Sequence, residues 1–151
     1  MANATISTIN TRLTLAADTA EEMMMLNPVS IPAETPVAEA TAALTDRGFG
    51  AAPVIDEAGR PLGVISRADI LIHERERLSG APAAVGETAT AEPIRVRDLM
   101  TPAIFSVTPE STARKVIEQM LTLKVRHLFV VDETGILVGV ISPLDVLRRL
   151  V

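Results

Sequence analysis

Apolar positions along this chain alternate between two periods. PVSI (28–31) and IFSV (104–107) read as short extended stretches. Downstream of the first, a segment beginning near Thr35 carries Val37, Ala40 and Leu44 at helical spacing. Pro36 stands in its first turn, where a missing N–H costs nothing, and Gly48 is a natural stop. Downstream of the second, Ala113, Val116, Ile117, Met120 and Leu121 mark a similar apolar stripe. Each helix is followed by a strand, AAPVID (51–56) or HLFVVD (127–132, with Arg126 leading it). An acidic turn containing Gly59 or Gly135 closes each into a hairpin with a GVIS strand. A final helix starts at Ser66 in one case and Ser142 in the other. The predicted order is β-α-β-β-α, twice.

The two halves keep one register. GVISRAD starts at Gly63 and GVISPLD at Gly139, an offset of 139 − 63 = 76. The same offset carries Met24 onto Met100, Ser30 onto Ser106, Glu34 onto Glu110, Val54 onto Val130, Gly59 onto Gly135 and Leu71 onto Leu147. A gapless register over about fifty residues is an internal duplication. It divides the chain into a polar, Ala/Thr-rich tail (1–19), a first repeat (20–78), a linker rich in Ala, Pro, Gly and Thr (79–95), and a second repeat (96–151). Each repeat has too few strands to cover both faces of its sheet, so the halves are expected to pack on each other as an α/β (α+β) pair.

Composition narrows the chemistry. The chain has 151 residues, 48% of them hydrophobic and 22% charged, which fits one compact domain or two small halves sharing a core. It has no cysteine, which removes disulfides and thiolate metal sites. It has two histidines, and the run His73-Glu74-Arg75-Glu76-Arg77 places Arg77 where a zinc-protease helix needs its second histidine, so no metal site is expected. That run reads as a solvated helix face with internal ion pairs. Net charge is −5 and the aromatics are three Phe, which argues against a nucleic-acid surface. No basic-then-apolar leader and no apolar run of roughly 20 residues is present, so a soluble cytoplasmic protein with no membrane role is expected. No Ser-His-Asp set with supporting context and no G-x-G-x-x-G loop occurs, so the expectation is a protein that is not an enzyme.

The repeated GVIS-x-x-D phrase is where a small ligand would be sought. A strand turning directly into a helix exposes unpaired backbone N–H groups and the positive end of the helix dipole. Ser66 with Asp69, and Ser142 with Asp145, also fit a capping box, worth about 1 kcal/mol without any ligand. The two readings are compatible, because a capped helix start is also an anion seat.

The doubled unit resembles the cystathionine-β-synthase (CBS) domain family, as a tandem pair or Bateman module. The likeness rests on MMLNPVSI and LMTPAIFSV at the openings, and on PVIDEAGRPLGVISRADIL (53–71) and LFVVDETGILVGVISPLDVL (128–147) at the ends. It implies two CBS repeats packed about a pseudo-twofold axis, binding an adenosine derivative (AMP, ADP, ATP or S-adenosylmethionine) in the cleft between them. On that pattern Asp69 and Asp145 accept from ribose hydroxyls. Ser66 and Ser142 meet phosphate, with Arg67, Arg126 and His127 as further phosphate partners, and Ile31 and Val107 pack the base. The resemblance further implies a regulatory sensor with no required cofactor, homodimerisation, and an effector protein acted on in trans. Apolar faces around Ile70-Leu71 and Val146-Leu147-Leu150 are the expected dimer surface.

The two seats are not chemically equal. Arg126-His127 in the second repeat matches uncharged Gly50-Ala51 in the first, and Arg67 matches Pro143. The expectation is that the Asp145 seat holds a phosphate-bearing ligand more tightly. The bland reading of Arg126 and His127 is a solvated strand end. The alternative for the whole chain is a structural or dimerisation module whose cleft has lost its ligand.

Overall fold

The computed structural model describes residues 12–79, 93–102 and 105–151. Element order is α1 (Ala20–Met23), β1 (Met25–Leu26), β2 (Ile31–Pro32), α2 (Val37–Arg47), β3 (Ala51–Ile55), β4 (Pro61–Ser66), α3 (Arg67–Ser79), α4 (Val96–Leu99), β5 (Thr101–Pro102), β6 (Ser106–Val107), α5 (Ala113–Leu123), β7 (Leu128–Val131), β8 (Leu137–Ile141) and α6 (Pro143–Leu147). The β-α-β-β-α core of each repeat is therefore present, preceded in each by a one-turn helix and a two-residue strand that the apolar pattern did not indicate. The expected strands at 28–31 and 104–107 shrink to Ile31–Pro32 and Ser106–Val107. Residues 1–11 of the expected tail and 80–92 of the expected linker lie outside the described residues.

Local chemistry explains the long elements. In α2, Val37, Ala40 and Leu44 face inward, and Gly48 ends the helix at φ +67°, a left-handed conformation that glycine takes without a Cβ penalty. In α5, Thr112 caps the start by accepting from the Lys115 N–H at 3.2 Å. Each hairpin turn is closed by an aspartate. Asp56 accepts from the Ala58 and Arg60 N–H groups, and Asp132 from those of Thr134 and Ile136.

Two four-stranded sheets result, and neither belongs to one repeat. Their orders are β2-β3-β4-β5 and β1-β8-β7-β6, so each repeat lends its opening strand to the other's sheet. The exchange obeys the 76-residue offset throughout. Ala20 N–H donates to Ser111 O and Val96 N–H to Thr35 O; Glu21 N–H donates to Pro109 O and Arg97 N–H to Ala33 O. Ala20 and Val96, an offset pair, are both fully buried, each in the core of the opposite repeat. A fully buried valine contributes roughly 1.5–3 kcal/mol over an exposed one, so even a one-turn helix anchors its segment.

The glycines of the GVIS phrase make this exchange possible. A Cβ on Gly63 would stand 2.4 Å from the Thr101 carbonyl oxygen of β5, and one on Gly139 would stand 2.6 Å from the Met24 sulfur. Met24 and Met100 are themselves an offset pair, and each packs beside the other repeat's glycine. Thr14 and the C-terminal Val151 exchange backbone hydrogen bonds at 2.9 Å in both directions.

Each sheet buries one face under helices. One core holds Ile31, Val37, Leu44, Val54, Ile65 and Val96; the other holds Ala20, Val107, Val116, Leu128, Val130 and Ile141. The opposite faces of the sheets meet each other. At the hairpin tips, Leu137 N–H donates to Gly59 O at 2.9 Å, joining the halves.

Candidate functional site

Strand alternation decides which side chains enter the layer between the sheets. Val54 and Ile65 point to the helices, so Ala51, Pro53, Val64 and Ser66 lie on the other face, with Ala51 paired to Ser66 and Pro53 to Val64. Phe129 and Val140, the offset partners of Pro53 and Val64, pair with each other on the matching face of the second sheet, and His127 and Ser142, the offset partners of Ala51 and Ser66, stand just beyond the ends of β7 and β8. A partly open cleft of about 20 Å³ is lined by Ala51, Ala52, Pro53 and Val64 from one half and His127, Phe129 and Val140 from the other. That is room for about one water. Phe129, only 2% exposed, is buried along this cleft, and sequence reasoning missed it. Its alternation with Leu128 and Val130 in a run buried on both faces was the available signal.

The two Ser–Asp corners flank this layer. Ser66 N–H donates to Asp69 Oδ2 at 2.9 Å, and Asp69 N–H donates to Ser66 Oγ at 3.1 Å. Ser142 repeats both bonds with Asp145, at 2.8 and 3.3 Å, and adds an Oγ–H to Oδ2 bond at 3.0 Å. Both are true capping boxes. Each spends Oδ2 on the cap and leaves Oδ1 over. Asp145 Oδ1 sits 3.6 Å from Arg148, whose side chain is largely exposed, a weak ion pair. Asp69 Oδ1 has no partner among the described residues.

The remaining predicted site residues separate. His127 lies on the second corner, beside Asp145 and Arg126. The residue is exposed and borders the small cleft between the sheets. Partial withdrawal from water holds its pKa below histidine's ordinary value; Arg126 pushes the same way and the Asp145 carboxylate pulls back. Arg126 itself is exposed. Arg67 heads elsewhere: its guanidinium donates to the Leu44 carbonyl at the end of α2, at 3.4 Å. Ile31 and Val107 pair with Val54 and Val130 and share their helix-side face, so they lie in the two cores, 5% and 3% exposed, away from the interlayer. Ile70, placed by the sequence on a dimer surface, is likewise buried in the first core, whereas Leu71 and Leu147 are exposed.

The sequence profile of the CBS domain matches residues 20–76 and 96–151. The chain belongs to the CBS-domain family. Its 5'-AMP-activated protein kinase subunit gamma-3 relative from Bos taurus is 34% identical over 117 residues, covering 77% of this chain and 22% of that protein. The inosine-5'-monophosphate dehydrogenase of Korarchaeum cryptofilum is 29% identical over 135 residues, covering 89% of this chain and 25% of the enzyme. The chain thus spans about a quarter of the length of these relatives. Among solved structures, CBSX2 in complex with AMP superposes with a TM-score of 0.67 at 28% identity, covering 86% of this chain and 93% of that one. The mixed α+β CBS pair expected from the sequence is therefore the fold of this protein. No helix among the described residues is long and apolar enough to cross a membrane.

Proposed function

We propose that this CBS pair is a non-enzymatic, cytoplasmic sensor that binds an adenosine nucleotide or S-adenosylmethionine between its repeats and acts on a partner protein in trans. The observation that carries the reading is the pair of Ser–Asp corners, matched by the offset and flanking one shared layer, each with a carboxylate oxygen left over by its cap. Likeness to a protein solved with AMP supports the adenosine class. In this reading Asp69 and Asp145 accept from ribose hydroxyls through Oδ1. Ser66 and Ser142 face phosphate, and Arg126 and His127 add positive charge or a donor to the second seat only. The apolar surface open to a base from the interlayer is Ala51, Pro53, Val64, Phe129 and Val140. Opening that layer costs free energy that a ligand must repay through tighter binding to the open pose. Exposed Leu71, Leu144 and Leu147 support homodimerisation through the outer helices.

A thermal-shift panel of AMP, ADP, ATP and S-adenosylmethionine tests this reading. A ligand at 100 times its Kd stabilises by about 2.7 kcal/mol. Asp145→Ala is expected to cost more AMP affinity than Asp69→Ala; equal losses would sink the ranking of the seats. The second reading, a ligand-free interaction module, is favoured by the burial of Phe129 along the cleft, and it gains if millimolar ligands produce no shift.

A further inference from the structure

The corner built by β7, β8 and α6 differs from its twin in one respect that bears on what it can recognise. It contains an imidazole where the twin has the Ala51 methyl group. The charged or titratable groups around that ring come from a short list of elements. Arg126 precedes it on its own segment, and Asp145 faces it from α6 with Arg148 at 3.6 Å from the carboxylate. The wall opposite, on β3 and β4, presents Ala51, Ala52, Pro53 and Val64, none of which titrates, and β8 adds Val140. Among the described residues, His127 is the one imidazole at this corner.

We propose that His127 couples ligand binding at the second seat to proton uptake, so that this seat, and not its twin, selects phosphate-bearing ligands more strongly as pH falls. The inference rests on the nucleotide reading above and assigns the second seat its specificity. In the free protein, partial burial and the neighbouring Arg126 favour the neutral ring, against the pull of Asp145. A bound phosphate brings up to two negative charges and reverses that balance. The direction follows from linkage: a pKa raised on binding adds affinity below the bound-state pKa, and the gain disappears as pH rises through it. One proton limits the effect to about tenfold in affinity per pH unit. The first seat cannot do this, since Gly50-Ala51 carries no titratable group and Arg67 is turned to the Leu44 carbonyl.

The test is calorimetry of AMP binding to the full chain at pH 6.0 and 7.5, each in two buffers of different ionisation enthalpy. The wild type is expected to take up a fraction of a proton more than His127→Asn. The wild-type advantage in affinity should widen about threefold to tenfold from the higher pH to the lower. Because AMP's own phosphate titrates near pH 6, the comparison between proteins at fixed ligand is the readout. His73→Asn, on α3, should behave as wild type. With two histidines in the chain, His73→Asn also leaves one imidazole signal for NMR, and AMP should move its titration upward. AMP binding with identical proton uptake in wild type and His127→Asn, and an unmoved imidazole titration, would overturn the inference and leave the nucleotide reading standing. Absence of AMP binding in the wild type overturns both.

Discussion

Replacing Gly63 with alanine is expected to loosen the strand exchange that holds the two repeats together. The new methyl carbon would stand 2.4 Å from the Thr101 carbonyl oxygen and 3.1 Å from the Thr101 carbonyl carbon, both backbone atoms of β5. No rotamer relieves a backbone clash, so β5 must move by about an ångström or detach. Overpacking of this kind costs typically 1–3 kcal/mol. For a chain of this length each kcal/mol lowers Tm by about 2–4 °C, which predicts a loss of roughly 2–12 °C. Gly139→Ala should cost less, because its obstacle is the Met24 side chain, whose sulfur and Cγ can swing aside. Gly50→Ala is the neutral control, with nothing within 4 Å of its Cβ. With neither Trp nor Tyr in the chain, unfolding is best followed by far-UV circular dichroism. A Gly63→Ala protein as stable as Gly50→Ala would refute the assignment of β5 to the first sheet.

Leu128→Ala removes a fully buried side chain from the second core and should cost about 2–5 kcal/mol, read as a lower urea midpoint at unchanged slope. Ser142→Ala removes an acceptor for the Asp145 N–H and should cost about 1 kcal/mol by thermal melting, whether or not a ligand binds. Asp132 has its pKa lowered chiefly by the Thr134 hydroxyl and then by the Ile136 N–H. Its folded pKa lies below the unfolded one, so its contribution is complete above about pH 4 and is lost as pH falls through the folded value. Asp132→Asn should therefore show a shallower loss of stability over that acid window, measured by melts at stepped pH.

The apolar periodicity and the 76-residue offset specified much of this protein before any coordinates. Period-3.6 stripes fixed α2 and α5, and the hairpin turns fixed β3-β4 and β7-β8, because those elements are stabilised by contacts close in sequence. The Ser–Asp corners were legible for the same reason: a capping box spans three residues and reports its own geometry.

Tertiary structure decided what no local pattern encodes. The one-turn helices α1 and α4 carry too few residues to show a period, and they exist because Ala20 and Val96 are buried in the opposite repeat. Ile31 and Val107, which the CBS resemblance assigns to base packing, pair with Val54 and Val130 and lie in the two cores, since paired strand residues share a face. Arg67 donates to the Leu44 carbonyl, a partner 23 residues away that no local pattern signals. The 76-residue offset already showed two Ser–Asp corners and a histidine, His127, beside one of them only. Folding decided that Ala51, Pro53 and Val64 of one repeat and Phe129 and Val140 of the other line a shared cleft with Phe129 buried, because that depends on how two sheets meet after each has taken a strand from the other.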